Sequence, residues 1–301
     1  FSCILSYSAM SIPEIADDYY QIDDAIRTGY AWSYGPFEIW DNLGIETGIE
    51  MIKSCGEEIP NWITDMSASG VESFYKFEDG KKKFYDVNSK KYINVPSSED
   101  HYILDAFREN KQILRNPECT VHDIGDGVMC IEFQTKGNSI GEGIAKGINE
   151  AIDIAERDGW NGIVIGNNDK QFSVGANLMN MGMMAMQKNF DEIEKFLVGF
   201  QKILMRMRTC NVPVVSATHG FVMGGGLEVS IHCDAGIHAS EAYIGLVEAG
   251  VGLIPGGGGT KEMAMRASDS FNSGDVKMPS LIDHFISIAM GSVSMSAHEA
   301  Y

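Results

Sequence analysis

Two glutamates, Glu228 and Glu248, stand twenty residues apart across a glycine-rich stretch. A carboxylate pair can divide acid and base work when its surroundings hold one member protonated and the other ionised. Glu228 closes the segment Gly220-Phe221-Val222-Met223-Gly224-Gly225-Gly226-Leu227-Glu228, whose glycines let a ligand approach the main chain where a helix begins. Glu248 belongs to Gly245-Leu246-Val247-Glu248, which runs into Gly252-Leu253-Ile254-Pro255-Gly256-Gly257-Gly258-Gly259-Thr260. A third segment, Phe172-Ser173-Val174-Gly175-Ala176-Asn177-Leu178, follows a strand pattern and precedes a Met-rich helical run. A loop there can expose backbone amides, and amides at a helix start favour developing negative charge. Acids flanking a glycine-lined pocket point to proton transfer with charge stabilisation.

Other chemistries fit these residues less well. Gly256 to Thr260 lacks the phosphate-loop spacing, since Lys261 follows Thr260, and Gly224 to Glu228 lacks the G-x-G-x-x-G of a dinucleotide turn. No metal site is expected. His232, Cys233 and Asp234 are consecutive and point in different directions on any regular element. Six cysteines, at 3, 55, 119, 130, 210 and 233, form no C-x-x-C pair, so neither zinc nor a disulfide framework is suggested and a reducing, cytoplasmic setting is expected. Asp and Glu number 42 against 23 Lys and Arg, giving a net charge of -19. That balance argues against nucleic acid or an anionic membrane as partner. It also means that an anionic ligand must be held by local donors. No apolar run reaches the roughly 20 residues needed to cross a bilayer.

The elements that must position these groups fall into two parts. After residue 118 the pattern alternates: a strand over Gly127 to Phe133, an amphipathic helix over Glu142 to Arg157, and a strand over Trp160 to Gly166. A long helix over Asp191 to Arg208, a strand over Val212 to Ala217, a helix opening near Gly225 and a strand over Asp234 to Ala239 follow. This is the grammar of an α/β domain. Residues 1 to 66 read as a small helical unit, with Ile12, Ile15, Ile22 and Ile26 at helical spacing and a corner at Gly35-Pro36 before a run from Ile39. Residues 67 to 117 read as a connector: aromatic strands around an Asp79-Gly80 hairpin, then a charged helical stretch from Tyr102 to Leu114 closed by Asn116-Pro117. The second domain is expected over 118 to 301.

The three glycine and glutamate segments, in this order and at this spacing, resemble the enoyl-CoA hydratase (crotonase) family over most of residues 120 to 301. Tyr34-Gly35-Pro36-Phe37-Glu38-Ile39-Trp40-Asp41 resembles the last helical domain of 3-hydroxyacyl-CoA dehydrogenases. That order is similar to bacterial multifunctional fatty-acid β-oxidation enzymes. The resemblance implies a crotonase-like ββα superhelix domain preceded by a small all-α domain of the dehydrogenase C-terminal type. It also implies a parent protein whose NAD-binding domain lies outside this chain, with no cofactor expected here. The chain opens mid-pattern at Phe1 and is read as a fragment cut at both ends.

The resemblance further implies that Glu228 and Glu248 are the catalytic glutamates and that the amides of Val174 and Gly225 form the oxyanion hole. Lys136 is implied at the start of the coenzyme A loop and Ala176 as a backbone group near the adenine end. Asn177 stands where many relatives have Asp, which weakens that position as a charged contact. Chemistry makes independent sense of the set: hydrating a conjugated thioester needs a base for water at C3, an acid for C2 and donors for the enolate oxygen. The spacing does not say which glutamate is the acid. Met179, Met181, Met183, Met184 and Met186 suit either ordinary helix packing or an adaptable acyl pocket. An enoyl-CoA isomerase on the same fold and a non-catalytic acyl-CoA-binding or assembly module are the alternatives. Expected partners are an acyl-CoA thioester and a homo-oligomer or β-oxidation complex.

Overall fold

The computed structural model describes residues 1–78, 80–96, 102–107, 111–276 and 278–300. They fall into two units, Phe1–Ala106 and Phe107–Tyr301.

In the first unit the helical spacing resolves into α1 (Ser2–Met10), α2 (Tyr19–Tyr30), α3 (Pro36–Leu43), α4 (Ile45–Ser54) and α5 (Asn61–Ala68). Ile12 and Ile15 lie in the link between α1 and α2, where Pro13 has no amide hydrogen to continue a helix. Three antiparallel strands follow: β1 (Tyr75–Glu78), β2 (Lys81–Asp86) and β3 (Lys91–Asn94), in that spatial order. Asp79, expected in the first turn, lies outside the described residues.

This sheet is not a separate connector. Phe74, Tyr75, Phe84 and Tyr85 share one core with Leu5, Tyr19, Phe37, Trp40 and Ile63 of the helices. Helices with one apolar face and a small sheet with another must bury them together, so the structure draws the division near residue 106 rather than at 66 and 117. Tyr19 lies at the join. Its ring centroid is 5.0 Å from that of Phe37 and 5.3 Å from that of Phe74. Its hydroxyl donates to the Phe74 carbonyl at 2.6 Å and accepts from the Tyr85 amide at 2.7 Å.

The Gly35-Pro36 corner is fixed from α2. Asp23, buried, accepts from the amides of Phe37 at 2.9 Å and Glu38 at 3.2 Å, and from the Tyr75 hydroxyl at 2.7 Å. Two orphan amides of α3 are thereby satisfied. Burial pushes the Asp23 carboxyl up to about 7, although the Tyr75 and Phe37 hydrogen bonds oppose it. Because this folded-state value lies above the unfolded one, the folded chain binds more protons and loses stability as pH rises from the ordinary carboxylate range through about 7. Asp41, pushed up to about 6 chiefly by burial, acts in the same direction. Asp23→Ala leaves those buried donors unmatched and is expected to destabilise the first unit by about 3 kcal/mol, read from the urea midpoint of full-chain unfolding.

The second unit holds a six-stranded sheet of β4 (Gln112–Arg115), β5 (Cys119–Asp123), β6 (Val128–Phe133), β7 (Gly162–Ile165), β8 (Val214–Met223) and β9 (Ala235–Gly245), ordered as numbered. The β4, β5 and β6 pairings are antiparallel, and those from β6 to β9 are parallel. The stretch expected to be helical from Tyr102 to Leu114 is instead a 3-10 turn, Leu104–Phe107, and strand β4. Leu114 pairs with Val121, so the strand ladder wins over the local charge pattern. Residues 108–110 lie outside the described residues.

Helices α6 (Glu142–Asp158), α7 (Leu178–Met186), α8 (Phe190–Thr209), α9 (Gly225–Ile231), α10 (Gly259–Asp269), α11 (Met278–Ala289) and α12 (Ala297–Ala300) belong to this unit. Its core joins Ile131, Ile163 and Val214 of the strands to Ile148 of α6 and Leu204 of α8. No helix among the described residues is long and apolar enough to cross a membrane.

Strands β8 and β9 outrun their expected ends by several residues. A register shift between Thr218 and Gly220 lets Phe221 pair with Tyr243 and Met223 with Gly245. The consequence is positional: Glu228 follows the end of one strand and Glu248 the end of its neighbour.

Candidate active site

The tail of β8 is held on both sides. Ser173 forms a parallel bridge to Val222, with its amide donating to Phe221 at 2.9 Å and its carbonyl accepting from Met223 at 3.0 Å. On the other side the Gly224 amide donates to the Gly245 carbonyl at 2.9 Å. All three chemistry-bearing segments therefore converge on the residues just after β8. The Ser173 hydroxyl donates to the Asn138 carbonyl at 2.7 Å and accepts from the Gly175 amide at 3.1 Å, which ties in the loop carrying Lys136.

Glu228 lies on α9 and is 3% exposed. Its Oε1 accepts from the Gly259 amide at 2.9 Å, and the amides of Gly257 and Gly258 also face the carboxylate. Burial raises its pKa, and the bonds from Gly259, Gly257 and Gly258, which favour the ionised form, offset that rise only in part. Glu248 is placed differently. Its Oε2 is buried without a hydrogen-bond partner among the described residues. Burial, reinforced by the charge of Glu228, pushes its carboxyl up to about 7. Three glycine amides solvate Glu228, whereas Glu248 has only its own backbone amide and an unpartnered Oε2.

Gly224 lets Glu248 approach. Its φ is +50°, and a Cβ there would come within 3.0 Å of Glu248 Oε1. The positive φ favours glycine, and a side chain there would push the Glu248 carboxylate from its place.

The sequence profile of the Enoyl-CoA hydratase/isomerase family matches residues 123–274, just over half of the chain. The chain belongs to the enoyl-CoA hydratase/isomerase family. It is 39% identical over 297 residues to a protein of Bacillus subtilis named "Probable 3-hydroxyacyl-CoA dehydrogenase", covering 98% of this chain and 37% of that one. It is 28% identical to the "Putative fatty acid oxidation complex trifunctional enzyme" of Rickettsia felis, covering 87% of this chain and 33% of that one. The chain thus spans about a third of the length of these relatives. In fold it is similar to the crystal structure of an enoyl-CoA hydratase from Polaromonas sp. JS666, with a TM-score of 0.52 and 21% identity over 60% of this chain and 65% of that one. The second unit has the crotonase fold.

In this family member the other residues singled out from the sequence have mixed placements. Gly225 opens α9, and its amide has no hydrogen-bond partner among the described residues. The Val174 amide, by contrast, donates to the Gly137 carbonyl at 3.1 Å. It can serve an oxyanion only by giving up that bond. Ala176 lies beside Gly225: a Cβ on Gly225 would sit 3.2 Å from the Ala176 nitrogen. Lys136 is exposed at the start of a 3-10 turn. Asn177 caps α7, its side chain accepting from the Asn180 amide at 3.3 Å.

In the methionine run Met181 and Met184 are half-buried and Met179, Met183 and Met186 are exposed. No residue of α7 is buried, and Met186 is 87% exposed. His232, Cys233 and Asp234 make separate contacts: the His232 ring with the Glu228 carbonyl, the Cys233 thiol with the Val229 carbonyl and the Asp234 carboxylate with the Val214 amide.

Sequence reasoning missed the amides of Gly257, Gly258 and Gly259 as partners of Glu228, and the stitching by Ser173. The run of four glycines signalled a close approach, but only the fold shows that the approaching group is a carboxylate thirty-one residues upstream.

Proposed function

We propose that this chain hydrates trans-2-enoyl-CoA thioesters, with Glu228 as the base and Glu248 as the acid. The unequal surroundings of the two carboxyls carry this reading: three backbone amides favour ionised Glu228, while Glu248 is buried without a partner for Oε2 and pushed up to about 7. Glu228 takes a proton from water as the water oxygen bonds to C3, and the C2–C3 π electrons move toward the thioester. The negative charge that develops on the thioester oxygen is met by the Gly225 amide. Glu248 then delivers a proton to C2, and the two carboxyls exchange protons with solvent to restore the starting state. The balance is one water added across one double bond, and no redox cofactor enters.

Lys136 is assigned to a coenzyme A phosphate and the Ala176 backbone to the adenine end, which the local-donor argument for a chain of charge -19 supports. For a longer parent protein we assign a second activity, NAD-dependent 3-hydroxyacyl-CoA dehydrogenation in fatty-acid β-oxidation. The Tyr34–Asp41 segment, read as part of a dehydrogenase-type C-terminal domain, and the names of the relatives support it. No residue of this chain is assigned to NAD. Exposed apolar residues of α11, Leu281 and Phe285 among them, support an oligomeric or complexed state. Six unpaired cysteines suit a reducing, cytoplasmic compartment.

Because the reaction needs protonated Glu248, kcat/KM for crotonyl-CoA is expected to fall as pH rises through about 7. Following the loss of conjugated-thioester absorbance across the neutral range tests this. A rate that climbs through that range, or no hydration at any pH, contradicts the assignment.

A further inference from the structure

Behind Glu228 lies a group of charged side chains to which the hydration chemistry assigns no role. His232 ends α9 one turn after Glu228 and is 1% exposed. Its Nδ1 lies 2.7 Å from the Glu228 carbonyl. A carbonyl only accepts, so Nδ1 carries the hydrogen and Nε2 is left as the acceptor of the neutral ring. Burial, its largest influence, lowers the His232 pKa and keeps it in that form. Nε2 lies 3.2 Å from Lys261 Nζ and 3.4 Å from Glu262 Oε1.

Glu262 is fully buried on the first turn of α10. Its Oε1 is bonded by Arg208 from α8 and lies 3.2 Å from Lys261 Nζ. Burial raises its pKa, but the hydrogen bonds from Arg208 and Lys261 outweigh this and leave Glu262 below the usual carboxylate range. The imidazole also rests against the cap of α10, since a Cβ on Gly258 would fall 3.0 Å from His232 Cε1. One ring therefore touches the backbone of the Glu228 turn, the glycine cap whose amides face the Glu228 carboxylate, and the charged first turn behind that cap.

We infer that His232, whose Nε2 accepts from Lys261 Nζ, and Glu262, whose Oε1 holds Lys261 and Arg208, are positioning residues that clamp the amides of Gly257 to Gly259 onto the Glu228 carboxylate. They touch no reacting atom and act through the register of α10 against α9. The glycines bring no side chains of their own to this turn, so its polar side-chain ties to α9 run through His232, Lys261 and Glu262. A buried ion cluster retained at this place gives geometry rather than net stability. Glu248 after β9 is coupled to Glu228 by charge, while Lys261 and Glu262 on α10 and Arg208 on α8 face His232.

The inference rests on Glu228 as the base, and the test separates the two. His232→Asn keeps a donor near the Glu228 carbonyl but loses the reach to α10. Glu262→Gln keeps the shape and loses the charge. In the full chain each is expected to lower kcat for crotonyl-CoA by about 10- to 100-fold with KM little changed. Each is also expected to raise the Glu228 pKa, read by carbon-13 NMR of carboxyl-labelled glutamate with Glu228→Gln assigning the signal. Arg208→Lys, which can still reach Glu262, is expected to recover more activity than Arg208→Met. A variant that loses thermal stability while its folded fraction keeps kcat and the Glu228 titration overturns the inference. That titration decides it even if the wild-type chain proves inactive, an outcome that would remove the hydratase reading instead.

Discussion

Glu228→Gln and Glu248→Gln, made singly in the full chain, are each expected to lower kcat for crotonyl-CoA hydration by about 100- to 10,000-fold with little change in KM. The two losses have different causes. Glutamine at 228 can still accept from the Gly259 amide, but it cannot take a proton from water. Glutamine at 248 holds no transferable acid proton, and it removes the negative charge that an ionised Glu248 would set against Glu228. The alkaline fall in rate near pH 7 should disappear in the residual activity of the second variant. Glu194→Gln, an exposed position on α8, is expected to leave kcat unchanged. Steady-state kinetics on the three proteins decide the matter, and wild-type turnover in either of the first two removes the assigned role.

Gly175→Ala is expected to lower kcat by about 100- to 1,000-fold through displacement of the oxyanion donor. Gly175 has φ +94°, a conformation that costs an L residue about 1–2 kcal/mol. Its new Cβ would lie 2.7 Å from the Met223 carbonyl oxygen and 3.1 Å from the Gly225 nitrogen. Both contacts are backbone, so neither can rotate away. Either the Ser173 loop lifts from β8 or the start of α9 shifts, and in both cases the Gly225 amide leaves its place. Gly182→Ala on α7, where a Cβ meets nothing within 4 Å, is the matched control and is expected to leave kcat unchanged. Kinetics together with circular dichroism separate a misplaced donor from an unfolded domain. Retained kcat in folded Gly175→Ala protein would mean that the Gly225 amide does not meet the developing charge.

What the sequence discloses about this site is mostly short-range. Glu228 and Glu248 stand out because each sits within a few residues of glycines that need unusual backbone, a requirement written in residue type. The β6-α6-β7 unit is legible because period and turn chemistry agree over its whole length. The extension of β8 and β9 is less visible. It depends on a register shift and on Ser173 pairing from a distant loop, and neither leaves a local pattern. The same holds for the shared core of the first unit, where Tyr19 meets Phe74 across fifty-five residues. It holds again for Asp23, a helix-α2 acid that caps a different helix. The acid and base roles lay beyond the sequence for an electrostatic reason. Both residues are glutamates after strands, and only the three glycine amides around Glu228, against the unpartnered Oε2 of Glu248, tell them apart.

The most direct test is the reaction of the full chain with crotonyl-CoA in deuterium oxide, with products identified by mass spectrometry and NMR. Hydration by the Glu228–Glu248 pair predicts 3-hydroxybutyryl-CoA carrying one deuterium at C2, formed by the wild-type chain and absent with Glu248→Gln. Recovered crotonyl-CoA with deuterium at C4 and no 3-hydroxy product would indicate proton shuttling without water addition. Tight binding with unchanged thioester would leave a binding module, and either result would contradict the hydratase.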